Sequence, residues 1–423
     1  APTGQRVLEE AGSKSEILSD ADRLIETMDL RSGGRRVALR VPAYRVIDRA
    51  EFDTRLVEAA CARGAEFRDG VIARVTPSGG VELSVSGSRN GRPPITETIT
   101  ARAVVCADGI KGKSLESLDG FEWDVKSRRL VGIGAIARTL PPRVSRDSVT
   151  MFHGPHGYLG IAPLRGGRAD LAAAVSPTWI RNNPGPTPLL ALAAHFGVPL
   201  SRDDIECTLP GAPQLTRTRR RVESEGRVFL CGDATGYLEP FTGEGMSWAL
   251  GSASRLTPLL NHSIEGNYRA GDWTRRVLND RRRRCVLCHA VGAMLRSPSL
   301  TRAAIRGCAS VPTVASAVSR VLGLAHTGWR RSPGEAAGAI QSACLGSAPP
   351  YPTGGSRNRL RRRTRLTLPL LVIAVPLQQA AGGSRRSTDA PGYGHAAPSS
   401  PRPPRISTGS TPRLRGMGPR PPN

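Results

Sequence analysis

Arg227-Val228-Phe229-Leu230-Cys231-Gly232-Asp233-Ala234-Thr235-Gly236-Tyr237-Leu238-Glu239-Pro240-Phe241-Thr242-Gly243-Glu244-Gly245-Met246 is the stretch on which the fold turns. Its first five residues read as a buried strand, and Gly232 permits a tight exit from it. Beyond Gly245, Met246, Ala249, Leu250, Ala253 and Leu256 recur at helical spacing. Strand, glycine-rich loop and helix in that order predict a ligand site. The Asp233 carboxylate can accept two hydrogen bonds from vicinal hydroxyls. Gly243 and Gly245 remove side chains where a flat ring or a pyrophosphate would approach the backbone. The unpaired N–H groups of the new helix favour negative charge there.

Working outward, Ala103-Val104-Val105-Cys106-Ala107 is a second apolar run, and it delivers Asp108-Gly109 at its carboxyl end. Asp48 with Glu51 has the form of a capping box. Phe52, Leu56, Ala59, Ala60 and Arg63 then follow at helical spacing, with Gly64 placed to end the helix. Val71, Ala73 and Val75, the turn residues 77–80, and Val81, Leu83 and Val85 predict a hairpin. Val7, Leu8, Ile17, Leu24 and Ile25 suggest an amphipathic stretch at the start. Strand-like pieces at 129–138, 148–152, 157–163 and 169–175, with one helix near 187–197, predict a β-rich insertion. Helical patterns follow over roughly 267–295 and 299–325.

The 423 residues carry a formal charge of +25, which invites a nucleic-acid reading. Only Lys14, Lys111, Lys113 and Lys126 are lysines, so the excess is arginine and suggests codon usage rather than phosphate contacts. Residues 355–423 hold 13 arginines against the single acid Asp389, about half of the whole excess. Aromatic residues are 4% of the chain and are not interleaved with the basic ones, so no specific nucleic-acid partner is expected. The eight scattered cysteines read as reduced thiols in a cytoplasm. The longest apolar run, Leu366 to Leu377, contains Pro369 and Pro376 and is too short to span a bilayer, which leaves only peripheral membrane contact open.

Taken together, three segments resemble the aromatic-hydroxylase-like FAD-dependent oxidoreductases. They are Asp48-Arg49 with Phe52-Asp53, Leu56 and Gly64-Ala65; Val104-Val105-Cys106-Ala107-Asp108-Gly109 with Ser114; and Gly232 to Met246. The wording from Pro240 to Gly245 is most similar to the geranylgeranyl-reductase branch. The resemblance covers roughly residues 1–325. It implies FAD held by Arg49, Asp108, Gly109, Gly232, Asp233, Pro240, Gly243, Glu244, Gly245 and Met246, with Arg49 near the pyrophosphate. It also implies NAD(P)H or another electron donor, and reduction or hydroxylation of an apolar, isoprenoid-like small molecule. No catalytic side chain and no metal ligand is singled out.

Such proteins open with a strand, a Gly-x-Gly-x-x-Gly turn and a helix, and none of these precedes Asp48. The expected fold is α/β: an incomplete Rossmann-like FAD-binding domain with an inserted β-rich substrate domain and C-terminal helices. Its parts are residues 1–120, 121–215, 216–330 and a disordered Arg/Pro/Gly/Ser-rich tail at 331–423. The literal match Gly132-x-Gly134-x-x-Ala137 is expected to be a strand, because Pro141-Pro142 leaves no room for a following helix. Cys285-Val286-Leu287-Cys288-His289 spells a haem-attachment signature but is expected to be part of a packed helix. His156, beside His153 and Tyr158, is expected in a turn at a strand entry. A second reading of the chain is a truncated, non-catalytic flavoprotein remnant with a basic, anion-binding tail.

Overall fold

The computed structural model describes residues 1–18, 23–77, 80–85, 96–125, 130–183, 188–238, 243–282, 298–310 and 370–374. All lie in one unit spanning Ala1–Ala380. Helices α1 (Pro2–Glu10) and α2 (Lys14–Ile17) open the chain. The amphipathic stretch inferred from Val7 to Ile25 divides here, because Leu24 and Ile25 lie in strand β1 (Arg23–Ser32). Its partner β2 (Arg35–Val46) follows after Gly33-Gly34. Both glycines have positive φ, 55° and 76°, the geometry that matches a tight two-residue turn to strand twist. Val37, Leu39 and Val41 are buried between exposed Arg36, Ala38 and Arg40, a period of two that fixes the strand.

Helix α3 (Arg49–Ala62) begins where the capping pattern places it. The Asp48 carboxylate accepts from Ala50 N at 3.0 Å, and Gly64 follows the end of the helix with φ 92°. Strands β3 (Val71–Val75) and β4 (Val81–Val85) form the expected hairpin, and β5 (Thr96–Ile99) extends it to three strands. The apolar run before Asp108 is β6 (Ala103–Ala107), with β7 (Asp124–Val125) beyond it.

Strands β8 (Val131–Ala137), β9 (Val149–Gly154), β10 (Gly157–Pro163), β11 (Ala169–Val175) and β12 (Ile205–Gln214) match the β-rich region. The sheet they build is not confined to that region. Its order is β12-β8-β11-β10-β9-β1-β2, so the hairpin from before residue 50 forms one edge. All its pairings are antiparallel except β1 with β9. Helices α4 (Pro177–Asn182) and α5 (Pro188–His195) lie beside one face, where Leu189, Leu192 and Ala193 pack on Leu159, Ile161 and Leu171. Gly132 and Gly134 sit inside β8, as expected, and a Cβ at Gly132 would meet Ala212 Cβ at 3.0 Å.

Strands β13 (Arg217–Thr218), β14 (Glu223–Ser224), β15 (Val228–Leu230) and β16 (Gly236–Tyr237) return the chain to β6 and β7. Helices α6 (Gly245–Glu265), α7 (272–282) and α8 (Pro298–Ser310) follow. β15 runs parallel to β6, with Leu230 opposite Cys106. Their shared core joins Val104, Val105, Phe229 and Leu230 to Leu256, Leu259 and Leu260 of α6 and to Trp273 and Val277 of α7. Trp273 Nε1 donates to the Leu230 carbonyl at 2.8 Å, so the buried indole is satisfied. Ala253, expected on the buried face of α6, is exposed.

Where the tail is expected to lack a fold, Leu370–Ala374 instead forms β17, parallel to β6 on its other side. Five consecutive apolar residues are what a strand beside a buried neighbour requires. The fold is α/β, as expected. Cys285 to His289 and Glu239 to Thr242, including Pro240, lie outside the described residues. Among the described residues no helix is long and apolar enough to cross a membrane, and no group of three or more His, Cys, Asp or Glu could hold a metal ion.

Candidate functional site

Parallel pairing places the carboxyl ends of β6 and β15 side by side, the edge at which ligands bind in open α/β sheets. Cys231 N donates to the Cys106 carbonyl at 2.9 Å, so Asp108 and Asp233 leave the sheet from neighbouring strands. Asp108 is buried at 7% exposure. Its Oδ2 accepts from Ser114 N at 2.8 Å and closes the loop, while Oδ1 is buried and has no hydrogen-bond partner among the described residues. A buried orphan acceptor of this kind fits a ligand hydroxyl or ring N–H.

Gly232 leaves β15 with φ 60°, and a Cβ there would meet Ala249 Cβ at 3.2 Å. Its N–H donates to Ser252 Oγ at 3.1 Å, which seats the turn on α6. Asp233 lines a cavity of about 30 Å³ with Thr235, Trp248, Ser252 and Arg255, room for a single water. At the start of α6 the first helical bond is Trp248 N to Glu244 O, 3.0 Å. The N–H groups of Gly245, Met246 and Ser247 therefore have no partner within the helix, and no described residue lies within 4 Å of where a Cβ would stand on Gly243 or Gly245. These features fit a flat, negatively charged cofactor approaching along the backbone.

Glu244 is buried at 1% exposure. Its charge acts on Tyr44 at the end of β2, whose phenol is pushed well above its ordinary range by burial and then by Glu244. Met246 packs with Leu250, Leu56 and the buried Leu8, Ile17 and Phe52, so α1, α2, α3 and α6 share one cluster. That cluster holds α3, which starts at Arg49, against the first turn of α6. The Arg49 guanidinium itself pairs with Asp53 at 3.0 Å, and among the described residues no contact joins it to the two loops. Gly109 carries φ 71° and has open space where a Cβ would stand.

Two arginines that the sequence reading passed over tie the loops together. Arg219, 2% exposed, donates to the Ala234 carbonyl at 3.1 Å and to the Gly112 carbonyl at 3.4 Å. It bridges the Asp233 turn and the Asp108 loop. Its guanidinium lies 3.8 Å from the Trp123 ring centroid, on which Arg217 also stacks at 5.0 Å. Arg217 donates to the Ile110 carbonyl at 3.3 Å. Burial lowers Arg219 to about 10, opposed by the Asp108 charge, so it stays cationic at neutral pH. Alternation of Arg217 and Arg219 about Thr218 was the available signal, hidden in a run of arginines.

Burial disfavours the thiolate form of both strand-end thiols. Burial raises Cys106 to about 12 and pushes Cys231 up as well. Elsewhere, Asp170 on β11 is raised to about 6 by burial, with Arg49 lowering it and Asp48 raising it further. Below about pH 4 the carboxyl is protonated in both folded and unfolded chains. Between about pH 4 and 6 the unfolded chain loses its proton first, so stability falls as pH rises through that window. Asp170→Asn is expected to raise the unfolding midpoint at pH 7 to 8, with the gain vanishing near pH 4, as thermal melts across that range would show.

Paired strand ends, an aspartate at each, and a glycine-led helix start make up a cofactor-binding site of an α/β protein. The chain belongs to the FAD binding domain family, whose model matches residues 3–284. It is 23% identical over 229 residues to a digeranylgeranylglycerophospholipid reductase of Thermoplasma acidophilum, covering 52% of this chain and 56% of that protein. The chain thus spans little more than half of that relative. A flavoprotein/dehydrogenase from Cytophaga hutchinsonii superposes with TM-score 0.58 at 15% identity, covering 76% of this chain and 81% of that one. A p-nitrophenol 4-monooxygenase from Pseudomonas putida gives 0.57 at 15% identity, covering 78% and 89%. The flavin-dependent brominase Bmp2 gives 0.58 at 13% identity, covering 81% and 86%. At these identities the solved structures share the fold.

Proposed function

We propose that the protein uses reduced FAD to reduce or hydroxylate an apolar, isoprenoid-like small molecule, with NAD(P)H as the electron donor. One observation carries the substrate class. The face of the large sheet opposite α4 and α5 carries the buried Met28, Leu30, Leu39, Val41, Met151 and Tyr158, packed with Cys308 of α8, and it meets Ile110 of the Asp108 loop and Tyr237 of the Asp233 turn. An apolar wall therefore continues directly into both motif loops. The name of the Thermoplasma relative, a reductase of an isoprenoid lipid, supports the same class.

Bound FAD supplies two-electron transfer or oxygen activation. The chain's own part is positioning. Asp233 accepts from cofactor hydroxyls, Asp108 Oδ1 accepts from a cofactor donor, and the free N–H groups of α6 stabilise negative charge. Arg49 is assigned to the pyrophosphate, for which it would exchange its bond to Asp53. The apolar sheet face orients the substrate and excludes water. The raised Tyr44 phenol keeps its proton beside Glu244. The cytoplasm supplies the donor, and contact with the substrate lipid is peripheral to the membrane.

The test is NADPH consumption by FAD-loaded protein, with polyprenyl lipid and with a small aromatic, and mass analysis of the products. Products heavier by two hydrogens or by one oxygen support the reading and choose between its two branches. NADPH consumption that neither substrate raises above the rate without substrate contradicts it.

A further inference from the structure

A second basic site lies at the other end of the β1–β2 hairpin, roughly 30 Å along β2 from Tyr44 at the strand rise per residue. The β1–β2 turn, residues 142–143, the β9–β10 turn and the end of α5 enclose a cavity of about 950 Å³. Arg31, Arg35, Arg36 and Arg143 line it together with His153 and His195, and among the described residues no Asp or Glu does. Beneath it, buried Asp29 receives both Arg31, at 2.6 Å and 3.0 Å, and Arg36, at 2.9 Å. Two guanidiniums thus converge on one carboxylate, and two more, of Arg35 and Arg143, line the cavity beside them.

Some described arginines elsewhere hold a carboxylate of their own, as in Arg49–Asp53, Arg55–Glu51, Arg255–Asp280 and Arg275–Asp272, whereas here four arginines line one cavity. Arg35 and Arg143 are exposed at the cavity rim and make no ion pair among the described residues. Arg143 holds a left-handed backbone, φ 67°, and its carbonyl accepts from Arg31 at 2.9 Å. A position that L-residues seldom adopt is therefore pinned where it carries a guanidinium over the cavity.

The remaining wall is aromatic. Phe152 and Phe196 stack with centroids 5.8 Å apart, and His195 meets Phe196 edge-on at 5.4 Å. Gly154 makes room for this, since a Cβ there would lie 2.9 Å from the Phe196 ring. Guanidinium forks match phosphate oxygens, the exposed His195 and half-buried Phe196 rings take a planar group, and the volume suits a nucleotide-sized ligand. We propose that this cavity binds a phosphate ester carried on a planar ring, of the nucleoside diphosphate class. Neither the location nor the chemistry depends on the flavin site.

Calorimetric titration of the full chain with ADP, inorganic phosphate and adenosine tests it. ADP is expected to bind more tightly than either fragment and to weaken as salt rises. The Arg35→Ala/Arg143→Ala variant should lose at least about tenfold in ADP affinity, and Arg35→Lys/Arg143→Lys should fall between. Both side chains are exposed, so the melting temperature and FAD affinity should not move. The absence of ADP binding, adenosine binding as tightly as ADP, or an unchanged ADP affinity in the alanine variant would each overturn the assignment.

Discussion

Arg219→Ala is expected to destabilise the protein by about 3 kcal/mol and to abolish FAD retention together with the loss of stability. The substitution removes the donor to two loop carbonyls, Ala234 and Gly112, at about 1–3 kcal/mol for each buried group left unsatisfied. It also empties the space on the Trp123 face. Relief from burying a cation offsets part of this, which keeps the figure near 3 rather than above it. Lysine is not expected to rescue the variant. One ammonium cannot reproduce a planar fork that spans two carbonyls and stacks on an indole. Denaturant unfolding of the wild type, the alanine variant and the lysine variant gives the comparison.

Asp233→Ala is expected to weaken FAD binding about a hundredfold, or about 3 kcal/mol, while the melting temperature changes little. The Asp233 side chain is half-buried at the surface of the turn, and the turn itself is held by Gly232, Ser252 and Arg219. Removing the carboxylate therefore leaves these three holds on the turn in place. Asp233→Asn keeps one acceptor and should lose less. Flavin fluorescence titration checks all three proteins. Equal affinities would place the cofactor hydroxyls elsewhere.

The strand-end geometry was legible because it is local. Two apolar runs ending in Asp-Gly and Gly-Asp can only be buried strands with an acid at the exit, and β6 and β15 are those strands. Helix α3 was legible for the same reason, with its cap and its terminating glycine both written in the sequence. What escaped was set by tertiary pairing. Leu24 and Ile25 fit a helix spacing as well as a strand, and only the long partner β2 and the parallel neighbour β9 decide between them. Arg219 sits in the run Arg217-Thr218-Arg219-Arg220-Arg221, where composition masks the two side chains turned inward. The apolar sheet face beside Ile110 and Tyr237 joins residues of β1, β2, β9 and β10, and no window of sequence contains it.

The most direct test of the account is hydrogen exchange of the full chain with and without FAD, followed by mass spectrometry of its peptides. FAD is expected to slow exchange in peptides covering 103–115 and 228–251, the two strand ends, their loops and the start of α6. Protection confined to other segments, or no protection at saturating FAD, would contradict the assignment of these loops as the flavin site.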